Sequence, residues 1–303
     1  MKIAFFEIKP EEKNFFQENL KDQQLYFFEY TVNEYEGISD FDVISVFIHS
    51  KITKEVLEKF PKLKYIQTRS TGVDHLDLKE IYERGLVASN VVGYAGPAVG
   101  EFAYSLLFEA IRKTYIAINR LKNGNLNYSD LKGTEIEGKT IGVLGLGTIG
   151  GYIAKIGKGF GAKIIGFNRS EKNIKGVEYT NSLEFVLKKS DFLFIALPLT
   201  KSTKNLINLE NIALFKGNVI VNPARAEIIS KEVYETFEGI IAADVLPEWN
   251  FAKKENIIAT PHMAYYTVEA LFRIMKISLD NILDFLNGQR PRNCLKLFYE
   301  KEK

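Results

Sequence analysis

Short apolar runs rich in β-branched and aromatic residues alternate along the chain with longer amphipathic stretches. This alternation is typical of βαβ units, in which helices cover both faces of a parallel sheet. It predicts two series of strands, one in each half of the chain. The first series is Lys2–Glu7, Leu25–Tyr30, Val43–Ile48, Tyr65–Thr68 and Leu86–Ser89, and the second is Thr140–Leu144, Lys163–Phe167, Phe192–Leu197, Asn218–Asn222, Ile240–Asp244 and Ile257–Ala259.

Helices are predicted between these strands. Thr53–Phe60 carries a capping threonine at its start, and Pro97–Lys122 is the longest helical pattern in the chain. A final helix, Val268–Asn287, is expected to return to the first half. The predicted fold class is therefore α/β, with two Rossmann-like doubly wound parallel-sheet domains. Residues 1–96 and 268–303 form a discontinuous domain, and residues 97–267 form the second domain.

Composition narrows the class of protein. A length of 303 residues predicts about two domains, and a formal net charge of +2 gives no electrostatic argument for a nucleic acid or an acidic membrane as partner. The single cysteine, Cys294, excludes an internal disulfide framework and a cysteine-rich zinc site, and no metal site is expected. Without a signal-peptide pattern or an apolar stretch of about 18 residues, the expectation is a cytoplasmic protein.

The strand Thr140–Leu144 leads directly into a glycine-rich segment, Gly145-Leu146-Gly147-Thr148-Ile149-Gly150, which is followed by a helical pattern and another strand. This is the GxGxxG pattern in the strand, turn and helix context that dinucleotide binding requires. Gly145 allows the turn, Gly147 lets the backbone approach a pyrophosphate, and Gly150 lets the helix pack against the strand. The N–H groups at the start of the helix, around Thr148 and Ile149, are suited to the phosphates.

The cofactor preference is predicted from the end of the next strand, where Asn168-Arg169-Ser170 stand in place of the usual carboxylate. No acidic group there would repel a 2′-phosphate, and Arg169 could pair with one in a bidentate geometry. This favours NADP(H). The alternative is NAD(H), with Asn168 binding the free ribose hydroxyls.

Three polar candidates follow consecutive strands of the second series. Arg225 follows Asn218–Asn222, Asp244 ends the next strand with Glu248 shortly after it, and His262 follows Ile257–Ala259. Ligands of open α/β sheets bind at the carboxyl ends of the strands. An arginine, a carboxylate and a histidine brought together there are suited to the reduction of a 2-oxo acid.

Several motifs stand in the order and approximate spacing of the D-isomer-specific 2-hydroxyacid dehydrogenases, and the chain resembles that family over nearly its whole length. The motifs are RSTGVDHLDL, GYAGPAVGEFA, VLGLGTIG, PLTKST, VNPAR, AADV and TPHMAYYT. The GYAGPAVGE segment and the Tyr-Tyr-Thr after His262 are most similar to the D-lactate dehydrogenase branch.

The resemblance implies a role for each matching position. His262 would donate and accept the proton, Arg225 would bind the substrate carboxylate and carbonyl, and Glu248 would pair with His262. The substrate carboxylate would bind the backbone around Thr71 and Gly72, and Tyr94 would close over it. The residues expected to line the adenosine and nicotinamide sites are Leu197, Pro198, Thr203, Pro223, Ala224 and Asp244.

The chain departs from the family pattern around the predicted acid. The family's acid usually lies five residues after the aspartate of the Asp-Val pair, a place taken here by Trp249, so Glu248 matches only with a one-residue deletion. The segment between Arg225 and Asp244 is also several residues shorter than usual. The helix Ser230–Phe237 is therefore expected to be short.

Alternatives to a D-lactate dehydrogenase remain open. A glyoxylate or hydroxypyruvate reductase would suit the Asn168-Arg169 pair, and a phosphoglycerate dehydrogenase is disfavoured by the end of the chain at Lys303. A non-catalytic NAD(H)-binding corepressor is the alternative from another class.

A homodimer is expected through the helix Pro97–Lys122, as in relatives of this family. Its apolar side chains exceed the needs of one covered face, with a buried interdomain helix as the alternative. These side chains are Phe102, Leu106, Leu107, Ile111 and Ile116.

Overall fold

Both halves of the chain fold around a parallel sheet in the computed structural model, which describes residues 1–295. Two compact units are present. The first contains Met1–Tyr94 and, of the described residues, 268–295, and the second contains Ala95–Thr267. Residues 296–303, which the sequence analysis assigns to the first domain, lie outside the described residues.

The first unit is built on a five-stranded sheet, and all of its strand pairs are parallel, in the order β2-β1-β3-β4-β5. The strands are β1 (Lys2–Phe5), β2 (Gln24–Phe27), β3 (Val43–Val46), β4 (Tyr65–Thr68) and β5 (Val87–Ser89). The helices between them are α1 (Pro10–Asn19), α2 (Lys54–Glu58) and α3 (Leu78–Glu83). Thr53 caps α2 as predicted, because its side chain accepts from the N–H of Val56.

The second unit begins with two helices, α4 (Gly96–Arg112) and α5 (Thr114–Lys122), and contains a seven-stranded parallel sheet. Its strands are β6 (Thr140–Leu144), β7 (Lys163–Phe167), β8 (Glu178–Thr180), β9 (Phe192–Ile195), β10 (Val219–Asn222), β11 (Ile240–Ala243) and β12 (Ile257–Ala259). The strand order is β12-β11-β10-β9-β6-β7-β8. The remaining helices of the unit are α6 (Thr148–Gly159), α7 (Leu183–Lys189), α8 (Leu209–Ile212) and α9 (Lys231–Thr236).

The last helix, α10 (Val268–Leu286), returns to the first unit, as the sequence predicts. Its residues Leu279 and Ile282 join a core cluster with Ile3, Phe5 and Phe16. Ala4, between two of those strand residues, belongs to the cluster on the opposite face of the sheet. Strands covered on both faces are continuously apolar, which is why the sequence identifies them as compact apolar runs.

Four strands end two or three residues earlier than predicted, because the apolar run continues beyond the last residue that pairs in the sheet. The clearest case is Lys2–Glu7, where the strand stops at Phe5 although Phe6 is fully buried. Glu7 has a φ of 53°, and its carboxylate accepts from the backbone N–H groups of Phe47, His49 and Ser50. The backbone therefore turns away from the sheet while burial continues. The other three affected predictions are Leu25–Tyr30, Val43–Ile48 and Phe192–Leu197.

The prediction of one helix over Pro97–Lys122 is wrong. Lys113 has a left-handed backbone (φ 53°, ψ 36°) and separates α4 from α5. The Glu109 side chain accepts from Thr114 Oγ1 at 2.7 Å and from the backbone N–H of Tyr115 at 3.1 Å. A carboxylate at the start of α5 satisfies N–H groups that a continuous helix would have bonded internally.

The apolar residues assigned to the dimer contact also need correction. Leu106, Leu107 and Ile111 are buried in the core of their own unit, and Phe102 packs against that core. Ile116 is the only one of the five that is substantially exposed, at 42%. The apolar excess of this segment instead lies on α5 and the loop after it. The exposed side chains are Tyr115, Ile118, Leu121, Leu126 and Tyr128.

Lys113→Gly should raise the free energy of unfolding by about 0.5–1 kcal/mol, because glycine adopts the left-handed conformation without the Cβ clash. Equilibrium urea unfolding measures the change. The matched control is Lys276→Gly in the middle of α10, where an exposed lysine has ordinary helical geometry and glycine should cost about 1 kcal/mol. Destabilisation of both variants by the same amount would contradict the strain at position 113.

Candidate active site

The glycine-rich turn joins β6 to α6 and is shaped by close backbone approaches. Gly145 has a φ of 96°, and a Cβ atom there would lie 2.6 Å from the carbonyl oxygen of Ala196. A Cβ atom on Gly150 would lie 1.8 Å from the Gly145 carbonyl oxygen. Glycine is therefore required at both positions, as the GxGxxG interpretation predicts.

Gly147 differs from the other two glycines, because a Cβ atom placed there would meet nothing within 4 Å. The backbone faces open space at this point. No acceptor is found among the described residues for the N–H of Gly147 or of Thr148, the first residue of α6. Free N–H groups at a helix start, beside a backbone that another molecule can approach, fit the pyrophosphate of a dinucleotide.

Asn168, directly after β7, contacts the glycine-rich turn through its side chain. Its Oδ1 accepts from the N–H of Leu146 at 3.4 Å, and its Nδ2 donates to the Ser170 carbonyl at 2.8 Å. Arg169 is exposed, and its guanidinium has no hydrogen-bond or ion-pair partner within residues 1–295. The amide of Asn168 is therefore occupied locally, and Arg169 is the cation accessible to a ligand.

The candidate residues of the second unit lie along one edge of its sheet. They follow the carboxyl ends of six strands that are neighbours in the order β12-β11-β10-β9-β6-β7. In that order these residues are His262, Asp244, Arg225 with Pro223 and Ala224, Leu197 with Pro198 and Thr203, the turn Gly145–Gly150, and Asn168 with Arg169 and Ser170. The parallel topology thus brings the predicted cofactor and catalytic residues of this unit to one edge.

His262 is held in an unusual backbone conformation, with a φ of 56°. Its N–H donates to the Asp244 carbonyl at 2.7 Å and to the Thr260 carbonyl at 3.0 Å. The imidazole is partly exposed and lies edge-on to the Tyr265 ring, with ring centroids 6.1 Å apart. A left-handed conformation at a non-glycine residue persists only where surrounding contacts enforce it, and such residues cluster at functional sites.

The contacts that enforce it come from the carboxylate of Asp244, which is 1% exposed. Oδ1 accepts from Thr260 Oγ1 at 2.6 Å and from the N–H of Met263 at 2.9 Å, and Oδ2 accepts from the N–H of Ala264 at 2.8 Å. Asp244 is expected to line the cofactor site, and that contact stays a prediction. Both of its carboxylate oxygens bind the loop that carries His262.

Arg225 lies in a turn shaped by Asn222, the last residue of β10, which is buried. The Asn222 side chain donates to the Arg225 carbonyl at 2.9 Å and accepts from the N–H of Ala224 at 3.1 Å. The Arg225 guanidinium is partly exposed and donates to the Ala224 carbonyl at 3.0 Å. Asn222 was not predicted as a site residue, although it stands in the VNPAR motif directly before Pro223, where the chain turns.

Glu248 is exposed, and its carboxylate forms an ion pair with Lys231 at 2.6 Å. The Lys231 ammonium group lowers the pKa of the Glu248 carboxyl, which keeps it ionised. Lys231 begins α9, which has six residues and is short as predicted. Trp249, in the place of the family's usual acid, is 75% exposed with Lys253 Nζ 4.6 Å from its ring centre. The pairing of Glu248 with His262 stays a prediction.

The predicted carboxylate-binding backbone belongs to the first unit and follows β4. Among the described residues, the N–H groups of Thr71 and Gly72 have no acceptor. Asn90, which the sequence analysis does not identify, donates from its side chain to the Thr71 carbonyl at 2.8 Å. The Tyr94 carbonyl accepts from Arg273 Nε at 2.9 Å, so α10 fixes the backbone there. The substrate contacts of Thr71, Gly72 and Tyr94 stay predictions.

Neither a metal-binding cluster nor a membrane-spanning helix is found in residues 1–295. No group of three or more histidine, cysteine, aspartate or glutamate side chains is arranged to hold a metal ion. No helix in that range has the length and apolar character needed to cross a membrane.

The family follows from this fold together with a sequence match. The family described as "D-isomer specific 2-hydroxyacid dehydrogenase, NAD binding domain" matches residues 104–264, and the chain belongs to it. This match covers the glycine-rich turn, Arg225, Asp244 and His262, and it establishes that the second unit is of a nicotinamide-dinucleotide-binding type. It leaves the choice between NAD and NADP open.

Two curated relatives cover most of this chain. The D-3-phosphoglycerate dehydrogenase of Methanocaldococcus jannaschii is 35% identical over 277 residues, which are 86% of this chain and 53% of that protein. This chain therefore spans about half the length of that relative. The hydroxypyruvate reductase of Thermotoga maritima is 34% identical over 78% of this chain and 82% of its own length.

Two solved structures share the whole architecture. The D-lactate dehydrogenase from Aquifex aeolicus, complexed with NAD and lactic acid, has a TM-score of 0.86 and 30% identity, and the match covers 94% of this chain and 96% of that one. An acyclic imino acid reductase in complex with NADPH and D-Arg has a TM-score of 0.86 and 27% identity, over 97% of this chain and 99% of that one. The same fold thus occurs with NAD in one protein and NADPH in another.

Asp244→Asn should lower kcat by about 10–100-fold, because an amide NH2 would face the N–H of Ala264 and release the loop that positions His262. Cofactor affinity should stay unchanged. The matched control is Asp191→Asn, whose Oδ2 accepts the N–H of Thr140 at the opposite end of the strands. Weaker cofactor binding with normal kcat would show that Asp244 contacts the cofactor instead.

Proposed function

We propose that this protein is an NAD(P)-dependent D-2-hydroxyacid dehydrogenase that interconverts a small 2-oxo acid and the corresponding D-2-hydroxy acid. The observation that carries the proposal is the strained position of His262, held by a buried carboxylate at the same sheet edge as a glycine-rich phosphate turn. A structural histidine requires neither the strain nor the neighbouring turn. The family membership supports the same reaction class.

Different residues of the chain bind the substrate and transfer the proton during reduction. The free N–H groups of Thr71 and Gly72, with the Arg225 guanidinium, bind and orient the substrate carboxylate. Protonated His262 donates its proton to the carbonyl oxygen as negative charge develops there, and it accepts the proton back in the oxidation direction. Arg225 offers a planar fork of donors that lysine would not reproduce. The bound nicotinamide supplies or accepts the hydride at the substrate carbon.

His262→Asn tests the proposal directly. Asparagine keeps a polar side chain but cannot titrate, so reduction should fall by about 10²–10⁴-fold. Steady-state kinetics with a 2-oxo acid and calorimetric titration of the cofactor give the two readouts. Unchanged cofactor affinity shows that the variant is folded. Turnover near that of the parent protein would remove His262 from the mechanism.

The substrate side chain stays open among three candidates. Glyoxylate and hydroxypyruvate are the first, supported by relatives named glyoxylate reductase and hydroxypyruvate reductase, and pyruvate is the second, supported by the lactic acid complex of the Aquifex aeolicus enzyme. A phosphoglycerate dehydrogenase activity is a third candidate, through a relative of which this chain spans about half. A panel of these 2-oxo acids ranks the candidates by kcat/KM, and turnover of none would favour the corepressor alternative.

We infer a preference for NADP(H) from the residues that follow β7. Asn168 brings no negative charge, and the exposed Arg169 guanidinium has no partner in residues 1–295. A 2′-phosphate carries about two negative charges and would pair with it. Arg169 is the residue to substitute in the test, because a change at Asn168, such as Asn168→Asp, would also remove the hydrogen bond from Asn168 to the Ser170 carbonyl.

Arg169→Ala should therefore weaken NADPH relative to NADH by about 10–100-fold, as expected for one charge-assisted contact. The measurement is kcat/KM with each cofactor for the parent and the variant. Arg84→Ala, at the end of α3 in the first unit, is the control for loss of an arginine. A parent enzyme that prefers NADH tenfold would show that Arg169 is no phosphate ligand.

A homodimer is proposed through α5 and the loop that follows it. The exposed fractions of Leu121, Leu126 and Tyr128 are 61%, 78% and 80%, which together leave an unusual amount of apolar surface in contact with water. A second copy of the chain, covering this surface by symmetry, would bury it.

Light scattering at micromolar concentration should report twice the mass of one chain. Leu121→Lys should shift the protein to the mass of one chain, because it places a charge in the proposed contact, whereas Lys122→Leu, at the neighbouring exposed position, should not. A single-chain mass for the parent protein would contradict the dimer.

A further inference from the structure

We propose that His75 is a positioning residue for the substrate carboxylate, acting on the Gly72 carbonyl through the hydroxyl groups of Thr68 and Ser70. The proposal rests on the proposed function, in which the backbone at Thr71 and Gly72 binds that carboxylate, and it adds the N–H of Val73, which belongs to the same peptide group as the Gly72 carbonyl. His75 stands in the RSTGVDHLDL motif, and neither the sequence analysis nor the mechanism above gives it a role.

Three consecutive carbonyl groups of this loop are fixed by hydrogen bonds from inside the first unit. The Ser70 carbonyl accepts from the N–H of Val91 at 2.9 Å, and the Thr71 carbonyl accepts from Asn90 Nδ2 at 2.8 Å. The Gly72 carbonyl accepts from Ser70 Oγ at 2.7 Å. Each bond fixes the orientation of one peptide plane.

A trans peptide group points its N–H opposite to its carbonyl. Fixing the carbonyls of residues 70, 71 and 72 therefore directs the N–H groups of Thr71, Gly72 and Val73 the other way. None of these three N–H groups has an acceptor in the described part of the chain, and all three residues are at least partly exposed. Consecutive free N–H groups of this kind bind anions, and a carboxylate is the anion that a 2-oxo acid offers.

His75 acts on the peptide plane that contains the Gly72 carbonyl, here called the Gly72 plane. Ser70 Oγ lies 2.7 Å from Thr68 Oγ1, which lies 2.9 Å from His75 Nε2. A hydroxyl group has one proton to donate. Ser70 gives its proton to the Gly72 carbonyl, so Thr68 must donate to Ser70, and His75 must donate from Nε2 to Thr68.

The direction of this chain fixes the state of the imidazole. His75 carries a proton on Nε2, a condition that both the neutral Nε2–H tautomer and the imidazolium satisfy. Thr68 is fully buried and Ser70 is 3% exposed, so water cannot replace a missing donor at either hydroxyl. Loss of the His75 donor would leave Thr68 free to turn its proton away from Ser70. The Ser70 hydroxyl would keep its own proton but would no longer be held in position, so its bond to the Gly72 carbonyl would weaken and the Gly72 plane would be less constrained.

Thr68→Val is the first variant, because valine keeps the shape of threonine and removes only the hydroxyl. KM for the preferred 2-oxo acid should rise about tenfold, while kcat and KM for the cofactor stay near those of the parent. His75→Leu should produce the same rise. His75→Gln should restore KM, since the glutamine amide can donate from nearly the same place.

The double variant Thr68→Val with His75→Leu separates one chain of hydrogen bonds from two independent contacts. Because both substitutions break the same chain, the double variant should raise KM no more than either single one. Thr236→Val, on α9 in the second unit, is the matched control and should leave KM unchanged. A multiplied effect in the double variant, or a His75→Gln variant as impaired as His75→Leu, would overturn the proposal.

Amide hydrogen exchange gives a readout that does not depend on turnover. The peptide that covers residues 71–73 should exchange faster in Thr68→Val than in the parent, with the peptide covering β1 unchanged. If the parent reduces no 2-oxo acid, the proposed function fails, and this exchange still decides the inference about His75. Unchanged exchange at residues 71–73 together with an unchanged KM would contradict the inference while leaving the proposed function intact.

Discussion

Both candidate binding loops depend on backbone N–H groups that have no acceptor within the described residues, and a different constraint on the backbone leaves them free in each loop. In the first unit, contacts from Asn90, Val91 and Ser70 hold three carbonyls and leave three N–H groups without acceptors. In the second unit, the start of α6 leaves the N–H groups around Gly147 free because a helix cannot bond its own first turn. Neither loop needs a charged side chain to bind an anion.

Buried polar side chains supply the bonds that hold these loops. Asp244, Asn222 and Asn168 each follow or end a strand of the second sheet, and each uses its side chain on the backbone of the next loop. Thr68 has the same place at the end of β4 in the first sheet. The partly exposed side chains His262 and Arg225 are thereby placed by hydrogen bonds from Asp244 and Asn222 to their loops. Replacement of Asp244 or Asn222 should lower the rate of catalysis, although the reacting side chains of His262 and Arg225 are still present.

The sequence predicts the sheets well because a strand buried on both faces is a continuous apolar run. Tyr65–Thr68, Thr140–Leu144, Lys163–Phe167 and Ile257–Ala259 have the predicted limits. The short edge strand β8 and helices α1, α3, α7 and α8 were not predicted. Helix α1, for example, buries only Phe16, so its sequence carries a weak periodic signal. The break at Lys113 depends on a left-handed lysine, a conformation that no local pattern identifies.

The candidate site was likewise predicted only in part. The glycines at 145 and 150 are required by contacts with backbone and follow from the motif, as do the strand-end places of Arg225 and His262. The partners that set their geometry are distant in sequence: Asn168 reaches Leu146 in the glycine-rich turn, and Asp244 reaches Met263 and Ala264 beside His262. Which apolar side chains of the segment 97–122 are covered likewise depends on packing against β-strands distant in sequence, so their number alone could not identify the exposed surface.

The central claim is that this chain reduces a 2-oxo acid to a D-2-hydroxy acid. The most direct measurement is the configuration of the product formed by the unmodified protein from pyruvate or hydroxypyruvate, whichever it reduces better, since glycolate from glyoxylate is achiral; chiral chromatography determines it with NADH and with NADPH. The account predicts one mole of cofactor oxidised for each mole of product, which is the D-isomer alone. A racemic or L-configured product, or no product with either cofactor, would contradict it.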